Sequence, residues 1–122
     1  MQKVLVIEDT PDNMILISDI LQLNGYQVIG AENGLLGFDM AKTEAPDFVL
    51  LDIQLPDIDG FEVLRKIRAE AITESLPVIA MTSFAMSDDR KKLLDAGCDG
   101  YIEKPIDPAN VMTQIQQYLP TH

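Results

Sequence analysis

Short apolar runs alternate with amphipathic stretches along the whole chain, and this alternation limits the fold more than any other feature. The runs are KVLVI (Lys3–Ile7), YQVIGA (26–31), DFVLL (47–51), PVIAM (77–81) and GYI (100–102). The strongest of them are apolar at successive positions, which suits strands buried on both faces. Thr10 followed by Pro11 reads as a helix start, since proline fits the first helical position. That helix is expected to run to about Asn24, where Gly25 stops it. Further helices are expected over Gly34–Thr43, from Asp59 onward, from about Ser87 to before Gly97, and from after Pro108 to about Tyr118. Asp59 is expected to cap its helix with Glu62 answering it, as in a capping box. Asp57, after Pro56, reads as a solvated turn residue.

Five strands alternating with five helices imply a parallel sheet with helices on both faces. Right-handed crossovers leave few topologies. The expected architecture is an α/β three-layer sandwich of the (βα)5, flavodoxin-like type, with strand order 2-1-3-4-5. The 122 residues fit one domain spanning 1–122, with no linker, repeat or second unit.

Composition removes several function classes. The formal net charge is −11, which opposes binding to nucleic acid or to anionic membranes. No apolar segment approaches membrane-spanning length, and MQKVLVIED is not a signal peptide. The chain has one cysteine, Cys98, and one histidine, His122. An internal disulfide, a Ser–His or Cys–His pair and a multi-histidine metal site are therefore excluded. The expected compartment is the cytoplasm.

Ligands of such sheets bind beyond the carboxyl ends of the strands, near the point where strand order reverses. The first strand ends on Glu8-Asp9 and the third on Asp52. The fourth ends on Thr82-Ser83, and the fifth leads to Lys104-Pro105. A lone aspartate after a strand is ordinarily a cap or turn residue, but four such ends on one side of one sheet form a pattern. Glu8, Asp9 and Asp52 are expected to converge, and three close carboxylates must take up a proton or a cation. An all-oxygen donor set favours Mg²⁺, which also shares ligands with phosphate; Mn²⁺ is the alternative. With a metal present, Asp52 could serve as an oxygen nucleophile toward phosphorus. Lys104 offers a compact positive charge and Thr82 a hydroxyl for phosphoryl oxygens.

These residues resemble the receiver domain of two-component response regulators, the CheY-like family, over essentially the whole chain. The matching segments are VLVIED, LLDIQLPDIDG, VIAMTSFAM and GYIEKPI. DTPDN, with Asn13, and TSFAM make it most similar to single-domain receivers and to those of hybrid histidine kinases. The resemblance implies phosphorylation of Asp52 by the phosphohistidine of a histidine kinase or phosphotransfer protein, with Mg²⁺ required. It implies a metal site of Glu8, Asp9, Asp52 and the main-chain oxygen of Gln54. Glu8 replaces the commoner aspartate, and its extra length suggests contact with the metal through water. Gln54 and Phe84 fall where the family tunes its dephosphorylation rate. The resemblance also implies a switch in which Thr82 moves toward the phosphoryl group and Tyr101 packs inward, and a cis bond before Pro105.

Leu16, Ile17, Ile20 and Leu21 form a stripe at helical spacing, expected to face the core. Met14 and Ile15 fall on the other side, and with Pro105 and Ile106 are expected to form a docking patch for the phosphohistidine donor. No output domain follows, so a stand-alone receiver that switches binding to a downstream protein is expected; an excised hybrid-kinase receiver is the alternative.

Rival readings fail on residues. A flavin or nucleotide site would need a loop without acids after the first strand, where the chain has EDTPD. An aspartyl phosphohydrolase would need a second acid two residues after Asp9, where Pro11 stands. A calcium loop counted from Leu55 has no acid at its first position and Lys66 at its twelfth. A receiver degenerate in its acids, Thr82 or Lys104 is excluded by their presence.

Overall fold

A computed structural model describes residues 2–83 and 87–119, with the side chains of 87–90 left aside. The strands are β1 (Lys3–Ile7), β2 (Gln27–Ala31), β3 (Phe48–Asp52), β4 (Val78–Thr82) and β5 (Gly100–Glu103). The helices are α1 (Pro11–Leu23), α2 (Gly34–Thr43), α3 (Gly60–Ala69), α4 (Ser87–Asp95) and α5 (Val111–Tyr118). The strands form one sheet in the order β2-β1-β3-β4-β5, and every pairing is parallel. The expected topology is thus the one observed.

Side chains alternate across a strand, so strands that are apolar on both faces feed two cores. Leu5, Ile7, Val49, Leu51, Val78 and Ala80 pack with Ala41 of α2, Val63, Leu64 and Ile67 of α3, and Leu93 of α4. Val4, Val6, Leu50, Ile79, Met81 and Ile102 pack with Ile17 and Leu21 of α1 and Val111 and Ile115 of α5. No helix among the described residues is long and apolar enough to cross a membrane.

Element ends shift where side chains take local bonds. β2 begins at Gln27 because the Tyr26 amide is taken by the end of α1, and the Tyr26 ring stands edge-on to Phe48 with 5.6 Å between centroids. Asp47 lies before β3 and accepts the Lys3 amide at 2.7 Å. Gly25 closes α1 as expected, at φ +88°, with the Tyr26 amide reaching back to the Leu21 carbonyl at 3.1 Å. α5 starts later than expected, because Asp107 accepts the Ala109 amide and the Asn110 side chain and holds 108–110 as a turn.

The α3 capping box does not form. Asp59 caps the helix by accepting the Phe61 amide at 2.8 Å, but Glu62 pairs with Arg65. Asp57 is exposed, as expected, yet it is not merely solvated: it accepts the Gly34 and Leu35 amides at 2.8 and 2.9 Å and caps α2 from another loop.

Candidate functional site

The sheet register brings the predicted residues together. Ile7 pairs with Leu51, Asp52 with Met81, and Thr82 with Glu103. Glu8, Asp52, Thr82 and Lys104 therefore leave adjacent strands at one edge. Glu8, Asp52 and Thr82 are buried, at 1%, 2% and 3% exposure, while Asp9 is exposed.

Lys104 ties the acids into one cluster. Its Nζ lies 2.8 Å from Glu8 Oε1 and 3.0 Å from Asp52 Oδ2. The Lys104 amide donates to the Thr82 carbonyl at 2.8 Å, which fixes the start of the lysine's loop. The other oxygens are also engaged. Glu8 Oε2 accepts the Thr10 amide at 3.3 Å, and Asp52 Oδ1 accepts the Gln54 amide at 3.0 Å.

Three carboxylates against one ammonium leave an excess of negative charge. Burial, followed by the facing Glu8, pushes the Asp52 carboxyl up from the usual 3.8 to about 7. Burial also pushes Glu8 up, but hydrogen bonds from Asp52, Lys104 and the Thr10 amide outweigh it and leave Glu8 lowered. Burial works against the Lys104 charge, and its two carboxylate partners more than offset it, so its pKa is raised. Glu8, Asp9 and Asp52 each present an oxygen within 4.8 Å of the others. This all-oxygen, over-acidic donor set fits a hard divalent cation.

The remaining predicted residues fall into three groups. Gln54 is exposed beside Asp52, and the Lys104-Pro105 bond is cis as expected. Tyr101 pairs with Ala80 and packs half-buried against the core under α2, α3 and α4. Thr82 follows Ala80 by two, so alternation puts Thr82 and Tyr101 on the same sheet face. Phe84 and His122 lie outside the described residues.

The four residues expected to form a docking patch do not share one exposed surface. Ile15 is 60% exposed and Pro105 is exposed. Ile106, expected at the surface, is 7% exposed and sits in the core under α1 and α5. Met14 is half-buried, packed on the same core, with its side chain so close to Gly30 that a Cβ there would meet Met14 Cε at 3.1 Å. Met14 and Ile15 instead line a groove of about 310 Å³ with Glu8, Asp9, Pro11 and Glu32. Sequence reasoning missed Asp57, whose partners lie 23 and 22 residues away. It also missed Thr10, whose amide steadies Glu8 although its hydroxyl does not cap α1.

Comparison with known proteins agrees with this fold. Residues 4–116 match the family model of the response regulator receiver domain. The polar-differentiation response regulator DivK of Brucella anthropi is 38% identical over 118 residues, covering 97% of this chain and 96% of that protein. Among solved structures, the chemotaxis response regulator CheY4 of Vibrio cholerae has a TM-score of 0.93 at 25% identity, covering 98% and 99% of the two chains. The receiver domain of the Pseudomonas aeruginosa sensor histidine kinase PA1611 has a TM-score of 0.87 at 33% identity, covering 96% of each chain. That structure has a magnesium ion coordinated in its active-site cleft.

Proposed function

Since the chain belongs to the response regulator receiver domain family, and so acts in phosphorelay signalling as a switch rather than a classical enzyme, we propose that Asp52 is its phosphoacceptor. The donor is the phosphohistidine of a histidine kinase or histidine phosphotransfer protein. The observation that carries this reading is Asp52 itself, buried yet held by the Lys104 ammonium at 3.0 Å inside an acidic cluster.

An Asp52 carboxylate oxygen attacks phosphorus in line with the phosphohistidine nitrogen. The P–N bond breaks as the O–P bond forms, and the imidazole leaves and takes a proton from solvent. Lys104 turns its charge from the Asp52 carboxylate to a phosphoryl oxygen, and Thr82 offers its hydroxyl to another. Mg²⁺, or Mn²⁺ in its place, when held by Asp9, Asp52 and the Gln54 main-chain oxygen, with Glu8 beside them, would neutralise the phosphoryl charge. The same residues then carry hydrolysis of the acyl phosphate, so that the chain catalyses only its own phosphorylation and dephosphorylation.

Thr82 and Tyr101, on one sheet face, are the switch that reports the phosphoryl group to a downstream protein. Ile15 and Pro105 remain the exposed apolar contacts for the donor, with Met14 at their margin. Its one cysteine, buried Cys98, suits the cytoplasm. The test is incubation with Mg²⁺ and acetyl phosphate, followed by a phosphate-affinity gel. Wild type shifts and Asp52→Asn does not; no shift in wild type, or an equal shift in the variant, overturns the assignment.

A further inference from the structure

The loop after Asp52 is held at three points, and the third has no part in the chemistry above. At its base the Ile53 amide donates to the Met81 carbonyl at 3.1 Å, and the Gly60 amide closes back on the Ile53 carbonyl at 2.9 Å. Near the phosphoacceptor the Gln54 amide holds Asp52 Oδ1. At its tip Asp57 spreads its two carboxylate oxygens over two successive amides, Oδ1 on Gly34 and Oδ2 on Leu35. The first turn of α2 lies directly on this loop and on α3. A Cβ at Gly34 would stand 2.7 Å from both Ile58 and Val63, so only glycine allows the approach.

Only Leu55 and Pro56 separate Gln54 from Asp57, and proline fixes one of the intervening φ angles. The direction of the Gln54 carbonyl therefore depends on where the Asp57 fork is fastened. We propose that Asp57 is a positioning residue for the metal site: by clamping the loop to α2 it aims the Gln54 main-chain oxygen at the cation held by Asp9 and Asp52. This rests on the metal ligands assigned above and extends them to a residue that touches neither metal nor phosphoryl group. The clamp also makes α2 responsive to the site, since any movement of the 53–59 loop pulls on the first two amides of that helix.

A loss of α2 capping alone is a rival explanation for any Asp57 variant, and the fold supplies its own control. Asn33 caps the same helix through the Leu36 amide at 2.8 Å but is not part of the Asp52 loop. Asn33→Ala and Asp57→Ala thus weaken one helix end alike, while only the second frees the loop. Asp57→Asn keeps one acceptor oxygen and turns a donor toward the other amide.

The chain has no tryptophan, so Mg²⁺ binding to the full chain is followed through backbone amide resonances during titration with MgCl₂, without any phosphodonor. Groups that orient metal ligands govern affinity by 10–100-fold, so Asp57→Ala is expected to raise the Mg²⁺ dissociation constant about tenfold. Asp57→Asn is expected to fall between Asp57→Ala and wild type, and Asn33→Ala to stay within about twofold of wild type. In the metal-free protein, the Gln54 amide resonance shifts in the Asp57 variants and stays in place in Asn33→Ala. The proposal is overturned if Asp57→Ala binds Mg²⁺ like wild type, or if Asn33→Ala weakens binding as much. If Asp52→Asn binds Mg²⁺ as wild type does, the metal site itself is misassigned and the inference falls with it.

Discussion

Asp52→Asn is expected to make the metal-free protein more stable at alkaline pH, although it removes the proposed phosphoacceptor. Asp52 is buried, and its ionisation is opposed first by burial and then by Glu8. A carboxyl raised in the folded state favours folding while protonated. That stability is fully present below the unfolded value of 3.8 and is lost as pH rises through about 7. At ~1.4 kcal/mol per pH unit, the interval from 3.8 to about 7 caps the loss at roughly 4 kcal/mol. Asparagine has no charge to lose and can donate its amide to Glu8, while Lys104 keeps its 2.8 Å bond to Glu8. An unfolding entropy of ~2.1 cal/mol/K per residue over 122 residues converts 1 kcal/mol to ~4 °C. The variant should therefore exceed wild type by about 2–4 kcal/mol, or ~8–15 °C, at pH 8 in EDTA, and by ~1 kcal/mol or less at pH 4.5. Thermal and urea melts followed by circular dichroism at the two pH values measure this. Mg²⁺ should then stabilise wild type alone and narrow the gap, because a ligand stabilises only the folded state that binds it. A variant no more stable than wild type at pH 8, or an equal gap at both pH values, would refute the electrostatic reasoning.

Arg68 donates to the carbonyls of Gly97, Glu74 and Leu76 at 2.9, 3.1 and 2.6 Å and to Asp99 at 3.0 Å, tying the end of α3 to the loops that precede β4 and β5. Arg68→Met is expected to cost about 2–3 kcal/mol in urea unfolding, chiefly from the two part-buried carbonyls of Gly97 and Leu76 left without a donor; an unchanged midpoint would contradict it. Gly60→Ala would bring a Cβ to 2.5 Å from the Ile53 Cα and 2.9 Å from the Asp52 carbonyl oxygen. Because that obstacle is backbone, a loss of about 1–3 kcal/mol and slower acetyl phosphate labelling are expected together, and labelling at the wild-type rate would count against the loop geometry. Ile15→Ser should leave stability within about 0.5 kcal/mol yet slow phosphotransfer from the cognate donor several-fold. Ile106→Ser should instead lower stability by about 2–4 kcal/mol, and the reverse assignment in paired melts and transfer assays would restore Ile106 to the surface.

The fold was legible because each of its determinants is local. VLVI (4–7) and VIAM (78–81) are apolar at successive positions because alternate side chains enter different cores. Gly25 and Thr10-Pro11 mark the ends of α1 through backbone preferences that act within a few residues. Once five strands and five helices stood in alternation, crossover handedness left the order to follow. The site was legible for the same reason. Parallel strands point their carboxyl ends one way, so reading the first two residues after each run brings Glu8, Asp9, Asp52, Thr82 and Lys104 into one set without knowledge of any contact.

What stayed illegible is decided by partners that sequence distance hides. Asp57 and Asp59 look alike in LPDIDG. One caps the helix that it begins, while the other caps α2, whose amides lie more than twenty residues upstream. Glu62 had two suitors at helical range, the Asp59 end and Arg65, and a full positive charge outcompeted a backbone amide. Ile106 has no periodic neighbours to show its direction, since it falls between β5 and α5, and only the packed core turns it inward. Helical angle alone puts Met14 on the outer face, but its long, flexible thioether reaches around to the space that Gly30 leaves open. In each case the residue type stated what the side chain could do, and the missing information was which group three-dimensional packing would set beside it. The surroundings of Asp52 escaped that ambiguity because burial leaves a carboxylate few alternatives. Asp52 inside the fold must meet Lys104, a proton or a cation, whereas Asp57 at the surface could have remained in water, and only the approach of Gly34 makes it a clamp.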